Sequence, residues 1–421
     1  MRDIGESRRK RPRLHAVTFA WQQLDDWQSP PTKSLDCNPL PVQLDSRSLQ
    51  LIHFMQAEVD YNYRPFRAVW FSMALHDHSA FKLCMANAAM FLDEATHPET
   101  FRYETSGEAL MYYGQCVNQI THRLGDSTDC ISEGVLTTIL GLICHDLYVG
   151  TWDRWAYHIR GLKQVLLLRG GLNGLSDNLR LFALWFDVLG SAIHDMRPQL
   201  SEYPTDENTQ PPQTGPGCAA LRILRRLTRS QYPSEMLVMA LNRVLTVSDF
   251  VNARYTQTGF WKEENDLSPL EMLAPAIHIL LSMPRPQNSN LSPFENVHEM
   301  TRLALLILIA ELKRAYGLPA NEIQLLRTKC ADLLRNTNID DDLSLFPSLW
   351  LWILVTVALH QPLGPERGLC LTYIAQQMPT LNIPDGQSAI KMARDIVWIE
   401  VLARPDTVQS LISEIDIARS A

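Results

Sequence analysis

Apolar residues recur along most of the chain at the spacing of one face of an α-helix. Between residues 152 and 169, Trp155, Ile159, Leu162 and Val165 follow one another at steps of three or four, as in a helix that buries one face. Alternation of the β type is hard to find anywhere in the chain. Capped segments with the helical pattern are predicted over 49–59, 66–72, 79–93, 100–124, 130–149, 152–169 and 177–194.

A proline-rich interruption follows these segments. Residues 196–217 contain five prolines among acidic, amide and hydroxyl side chains, which is the composition of a linker. The helical pattern then resumes over 218–229, 233–255, 269–281, 294–316, 321–335, 346–360, 366–377 and 386–402. The sequence therefore predicts an all-α fold, a multi-helix bundle in two lobes, about 46–196 and 218–421, joined by the Pro-rich linker.

Composition narrows the function classes. With 46% hydrophobic residues the chain can bury a sizeable core, and its net charge of −8 argues against the body as a nucleic-acid surface. The longest apolar runs, 303–310 and 349–359, are shorter than the ~20 residues of a membrane span, so we expect central core helices and no membrane contact. Eight cysteines without a Cys-x-x-Cys pair or a secretory signal predict free, mostly buried thiols in a reducing compartment.

Residues 1–45 differ from the rest and are predicted to be a disordered basic arm. A cluster of positive charge is followed by prolines among polar residues, in a segment too polar to fold alone. The cluster consists of Arg8, Arg9, Lys10, Arg11 and Arg13. We interpret it as a nuclear import signal, with an import receptor as partner and the nucleus as location. Phosphate contact and a solvated tail without function are the alternatives.

A set of residues at fixed offsets carries the most specific signal. The order is Trp-x5-His-x2-Gly-Leu, then Leu-Arg-Gly-Gly, then a helix with a tryptophan and an aspartate. These are Trp152, His158, Gly161, Arg169, Gly170, Gly171, Trp185 and Asp187. The ordered set resembles the C-terminal regulatory domain of fungus-specific zinc-cluster transcription factors, most clearly from about 81 to 196.

The resemblance implies a helical regulatory domain over 46–421 that acts on transcription in the nucleus through protein contacts. The transcriptional machinery or a partner transcription factor would be bound, and a small-molecule effector in a cavity between helices is a further possible partner. The resemblance names a family and not a reaction. We therefore expect no enzyme, and no catalytic, cofactor or metal site.

The residues of the set have ordinary structural explanations. Gly161 costs about 1 kcal/mol relative to alanine inside a helix, so we expect it to let another helix or a side chain approach closely. Arg169 suits the negative end of the helix dipole, and Gly170 and Gly171 can supply a left-handed helix end. His158 is expected to form a buried hydrogen bond to Asp187 or Asp146.

The zinc cluster that usually precedes this domain in the family is not found in the sequence. Two metals held by bridging thiolates need six closely spaced cysteines, and Cys37 is the only cysteine before Cys84. We therefore expect DNA contact to be at most weak or indirect. Either the chain is a regulatory domain without its DNA reader, or an N-terminal exon is missing from the sequence.

Two other function classes stay open. His122, His145, Asp146 and Asp187 occur in the order used by metal-dependent phosphohydrolases of the His-Asp class. The ordinary explanation of His145 and Asp146 is a structural pair near the end of an apolar helix. The third hypothesis is a non-catalytic interaction scaffold that kept the fold without a regulatory role. No phosphate-binding glycine loop and no Gly-x-Ser-x-Gly elbow is present.

Overall fold

The fold is known from a computed structural model of the chain. The structure describes residues 44–57, 64–200, 223, 235–262, 266–286, 291–337 and 344–420. Within these ranges every regular element is helical, which confirms the predicted all-α class. The chain divides into two compact units, of which the first ends at Ala183 and the second begins at Leu184.

The first unit is built from six helices and the start of a seventh. They are α1 (Ser46–Ala57), α2 (Arg64–Ala74), α3 (His78–Thr96), α4 (Gly107–Leu124), α5 (Glu133–Val149), α6 (Trp152–Arg169) and α7 (Asp177–Ile193), which continues into the second unit. Short 3-10 turns, Tyr103–Thr105 and Asp129–Ile131, precede α4 and α5.

Helix α3 is central to the first unit and contacts α1, α2, α4 and α5. It begins where the Asp77 carboxylate accepts the Ala80 N–H at 3.0 Å, which satisfies one free donor of the first turn. Its side chains are buried from Ser79 to Phe91 with few exceptions, so it lacks the polar face of a surface helix. Helix α5 is equally apolar and packs between α3 and α6.

The second unit contains the remaining helices of the described chain. They are α8 (Glu235–Asn252), α9 (Ser268–Ser282), α10 (Pro293–Ala315), α11 (Ile323–Arg335), α12 (Pro347–His360), α13 (Pro365–Gln377), α14 (Gly386–Arg394) and α15 (Pro405–Ser420), with a 3-10 turn at Glu400–Leu402.

Helices α10 and α12 form the core of the second unit. Ser292 and Glu295 begin α10 with a reciprocal capping box, and the helix is buried from Val297 to Lys313. Helix α12 is buried on all sides from Leu349 to His360 and contacts α10, α13 and α14. The two longest apolar runs of the sequence are thus core helices, as predicted. Within the described ranges, no helix combines the length and apolarity needed to cross a bilayer.

Most of the predicted helix positions in the described chain agree with the structure to within about three residues. Residues 152–169 are helical with the predicted limits. The segment predicted over 100–124 is an α-helix only from Gly107, because a 3-10 turn, Tyr103–Thr105, precedes it, and the segment predicted over 218–229 lies, apart from residue 223, outside the described residues. Other differences occur near the C-terminus. The helix predicted over 386–402 is shorter than expected and ends at Arg394. Helix α15, Pro405–Ser420, was not predicted. Residues 201–222, which hold most of the predicted linker, lie outside the described residues, so the lobe boundaries at 196 and 218 stay a prediction.

Candidate functional site

A buried polar network lies in the first unit, between the end of α5 and the start of α6. Its centre is His145, whose side chain is fully buried. The ring Nδ1–H donates to the Asn87 Oδ1 at 2.6 Å, and the Tyr103 hydroxyl donates to Nε2 at 2.8 Å. The ring also stacks on Tyr113 at a centroid distance of 5.0 Å. Three elements, α3, the 3-10 turn before α4, and α4 itself, thus converge on one side chain of α5.

Asp146, the next residue, forms the charged half of the network. Its carboxylate is fully buried and lies 2.5 Å from His158 Nδ1 and 3.0 Å from Arg154 Nε. The Thr151 hydroxyl donates to the same carboxylate at 3.1 Å and accepts from Arg154. A tight turn explains the convergence, because Gly150 adopts a left-handed conformation (φ 80°) and α6 folds back along α5.

The predicted partner of His158 is therefore settled. Of the two carboxylates that the sequence allowed, Asp146 accepts its hydrogen bond. The Asp187 carboxylate accepts instead from the backbone N–H groups of Leu200 at 2.7 Å and Gln199 at 3.0 Å. These bonds fix the chain that follows α7.

Burial keeps the side chains of His145 and Tyr113 uncharged at neutral pH. Burial lowers the pKa of His145 to about 3, and the nearby charges of Arg154 and His158 act in the same direction. Burial raises the pKa of Tyr113 to about 12, although the Arg154 guanidinium, 5.2 Å from the ring centroid, opposes this shift. At neutral pH, His145 is a neutral imidazole and Tyr113 is a neutral phenol. Neither group exchanges protons readily near pH 7.

The arrangement does not favour metal chemistry at the residues that the phosphohydrolase hypothesis named. Both ring nitrogens of His145 are engaged in hydrogen bonds, so a metal could bind only by displacing Asn87 or Tyr103. His122 is exposed in the last turn of α4. Within the described residues, no group of three or more His, Cys, Asp or Glu side chains is arranged to hold a metal ion.

The cysteines of the described chain are free, as expected. Burial raises the pKa of Cys84 and of Cys116 to about 12, so both stay thiols at neutral pH. A thiol is a weak nucleophile and a poor metal ligand. These side chains act as small apolar groups in the core.

The glycines and the arginine of the motif lie at or near the end of α6, with the exception of Gly161. Gly170 (φ 96°) and Gly171 (φ 97°) end α6 as predicted, and the Gly171 N–H donates to the Leu166 carbonyl at 2.8 Å. The Arg169 guanidinium donates to the Ile131 carbonyl at 2.7 Å. The close approach predicted at Gly161 is wrong within the described chain, because an added Cβ there would meet no atom within 4 Å.

A second charged cluster, in the second unit, was not predicted. Asp195, in a left-handed conformation (φ 47°) after α7, accepts two hydrogen bonds from Arg302, at 2.7 and 2.9 Å, and one from Lys329 at 2.5 Å. Burial by itself raises the pKa of Asp195, but Arg302 and Lys329 outweigh it and lower the value to about 2. Glu299 also pairs with Arg302. The only sequence signal was a Glu-x-x-Arg pair inside an apolar helix.

The remaining motif residues are placed as follows. Trp152 is the first residue of α6, and Trp185 is fully buried in α7. The basic run Arg8, Arg9, Lys10, Arg11 and Arg13 lies outside the described residues. The structure thus joins His158 to the network of His145 and Asp146. It adds Asn87, Tyr103, Tyr113, Thr151 and Arg154, which sequence reasoning did not identify.

Comparison with known proteins gives one match. The family model described as fungal specific transcription factor domain matches residues 52–376, which is more than three quarters of the chain. Searches of curated proteins and of solved structures find no match.

Proposed function

Because the chain belongs to the fungal specific transcription factor domain family, we propose that it regulates transcription in the nucleus through protein contacts of its helical body. The observation that carries this proposal is the length of the match, 52–376, which includes helices of both units. The transcriptional machinery or a partner transcription factor is the binding partner in this proposal. An import receptor would bind the basic run that begins at Arg8.

The chemistry of the buried network supports a non-catalytic role. A general acid or base needs a pKa near the working pH and access to a substrate. His145 has neither, because it is fully buried and its pKa is lowered to about 3. Asp146 is fully buried and already pairs with Arg154 and His158. Such a network stabilises the fold by satisfying polar groups inside the core.

Weak DNA contact is part of the same proposal. The chain carries a net charge of −8, which does not favour binding to phosphate groups. A zinc-cluster reader needs six closely spaced cysteines, and the first 83 residues hold one, Cys37. Specific recruitment to a promoter would then come from a partner protein. A gel-shift selection that enriched one DNA motif with nanomolar affinity would contradict this.

A tethering experiment tests the proposal directly. The chain is fused to a bacterial DNA-binding domain in a fungal reporter strain, and reporter output is compared with that of the DNA-binding domain alone. We expect a several-fold change in either direction, because a regulatory body should act once it is held at a promoter. The fusion with Asp146→Asn should show a smaller effect, since that change weakens the first unit, whereas Asp177→Asn on an exposed pair should keep the full effect.

The tethering experiment can also contradict the proposal. If the parent fusion accumulates to the level of the DNA-binding domain alone and leaves the reporter unchanged, the chain is a scaffold without a regulatory role, and the proposal is wrong.

A further inference from the structure

One side of α6 exposes a row of apolar side chains. Positions 157, 161, 164 and 168 lie three or four residues apart, so they form one stripe along the helix. Tyr157 is 68% exposed, Leu167 70% and Leu168 71%. A single exposed leucine is ordinary, but such a row marks a protein-binding surface. The outer face of α6 consists of Tyr157, Arg160, Gly161, Lys163, Gln164, Leu167 and Leu168.

Two cations on the outer face of α6 have no carboxylate partner within the described residues. Arg160 donates to the Ala156 carbonyl of its own helix at 2.9 Å and lies 4.9 Å from the centroid of the Tyr157 ring. Lys163 forms no hydrogen bond or ion pair with any described residue. Asp153 is on the same side of the helix, but about 10 Å before Arg160 along its axis. An acidic segment with apolar side chains would therefore match this face.

One segment of the chain outside the described residues has this composition. Residues 17–28, the N-terminal segment, read Val-Thr-Phe-Ala-Trp-Gln-Gln-Leu-Asp-Asp-Trp-Gln. Trp21, Leu24 and Trp27 recur every third residue, close to the spacing of anchors on one side of a binding helix. Asp25 and Asp26 are the only Asp, Glu, Lys or Arg residues between positions 14 and 30.

The acidic stretch 201–217, which also lies mostly outside the described residues, fits less well. Its only large apolar side chain apart from proline is Tyr203. It could pair with the two cations of α6, but it would leave the exposed leucines uncovered.

Chain length lets the N-terminal segment reach α6. Residues 29–43 connect the segment to Leu44, the first described residue, and 15 residues span up to about 50 Å when extended. Helix α6 belongs to the same unit as Leu44. A folded unit of about 130 residues has a radius of gyration of about 14 Å, so most of its surface is within reach of this connection.

We propose that the N-terminal segment binds the outer face of α6 in the same chain. The two tryptophans and the leucine of the segment would cover Tyr157, Leu167 and Leu168. Its two aspartates would pair with Arg160 and Lys163. The basic run ends four residues before the segment, so this contact also holds that run beside the first unit. The contact does not depend on a role in transcription.

A competition experiment with the full chain tests the proposal. One variant disables the segment by Trp21→Ala, Leu24→Ala and Trp27→Ala. A fluorescent peptide of residues 14–30 is added to this variant and to the parent, and fluorescence anisotropy measures its affinity. We expect the variant to bind the peptide and the parent to bind it at least tenfold more weakly, because a tethered segment competes at an effective concentration of about millimolar.

Further substitutions in the segment-disabled variant locate the site. Leu168→Glu should weaken peptide binding at least tenfold, because it places a charge in the apolar contact and repels the aspartates of the peptide. Leu363→Glu is the matched control, since Leu363 is 82% exposed and lies in the second unit. Its affinity for the peptide should equal that of the segment-disabled variant.

A charge exchange tests the ion pairs separately. Arg160→Glu together with Lys163→Glu should weaken binding of the same peptide about tenfold, because like charges then face each other. A peptide with Asp25→Lys and Asp26→Lys should recover affinity for this variant to within about threefold. Recovery shows that the altered chain is folded, because a misfolded chain would bind neither peptide.

Four results would overturn the proposal. They are no binding by the segment-disabled variant, equal binding by the parent and this variant, equal effects of Leu168→Glu and Leu363→Glu, and no recovery with the exchanged charges. Sedimentation of the parent tests another occupant of the face. A dimer that Leu168→Glu converts to a monomer would show that a second copy covers the outer face of α6, and the proposal would again be wrong.

Discussion

The substitution Asp146→Asn tests the buried network most directly. It keeps the size of the side chain and removes one negative charge. In the parent, that charge lies 2.5 Å from His158 Nδ1 and 3.0 Å from Arg154 Nε, on a carboxylate with no exposed surface. The amide cannot replace both charge-assisted hydrogen bonds, so Arg154 and His158 lose the partner that holds α6 against the end of α5.

The expected cost follows from the burial of the three groups. Breaking a fully buried ion pair by removing one partner costs about 3–5 kcal/mol. Arg154 and His158 keep 34% and 26% of their side-chain surface exposed, so water restores part of their lost interaction. We therefore expect the free energy of unfolding to fall by about 2–3 kcal/mol. In a unit of this size, that lowers the midpoint of thermal unfolding by about 5–10 °C.

Circular dichroism during heating at pH 7 measures this midpoint. Asp177→Asn is the matched control, because it removes the same charge from an ion pair with Arg180 that is 91% exposed on the aspartate side. Exposed pairs contribute little, so its midpoint should stay within about 2 °C of the parent. Equal midpoints for Asp146→Asn and Asp177→Asn would refute the claim that the buried pair stabilises the first unit.

Three further predictions use other features of the molecule. Burial lowers the pKa of His145 from 6.5 to about 3, so below pH 6.5 the unfolded chain binds a proton that the folded chain does not. The free energy of unfolding should therefore decrease as the pH falls, and His145→Gln should reduce this slope by about 1 kcal/mol per pH unit in urea titrations between pH 6.5 and 5. An unchanged slope would contradict the assigned neutral state. Gly161→Ala should stabilise the chain by about 0.5–1 kcal/mol, because the added Cβ would have no neighbouring atom within 4 Å. Gly141→Ala should destabilise it by about 1–3 kcal/mol, because the added Cβ would lie 2.7 Å from Leu83 and from Trp70. The opposite order of stabilities in chemical denaturation would contradict the packing described at the two glycines. Alanine at Arg8, Arg9, Lys10, Arg11 and Arg13 should move a fluorescent fusion from nucleus to cytoplasm, and a variant as nuclear as its parent would rule out an import signal in this run.

Helix positions were predictable because their signals are local. The limits of 152–169 follow from an apolar stripe that ends at Gly170, where a left-handed residue is needed. The same kind of signal is present in α15, where Val408, Leu411, Ile412 and Ile415 are spaced as one buried face. That helix was missed although the information was in the sequence. The spacing of these buried residues is as regular as in α6.

The partners of His145 could not be predicted in this way. Asn87 and Tyr103 lie 58 and 42 residues away in sequence and reach the ring through two other elements. Periodicity reports which face of a helix is buried, but not which polar group of another element meets it. The same limit explains Gly161, since a glycine inside a helix looks identical in sequence whether it faces a neighbour or open space.

The motif residues nevertheless share one physical role, because several of them hold the same pair of antiparallel helices. At the turn between α5 and α6, His158 and Arg154 bind the Asp146 carboxylate. At the far end of the pair, Arg169 bonds the Ile131 carbonyl just before α5 and lies 3.5 Å from Glu133 in its first turn. Gly170 and Gly171 then end α6 where this contact is made. Residues that fix both ends of a helical hairpin specify a fold rather than a reaction, so the same motif can identify a family without specifying a ligand.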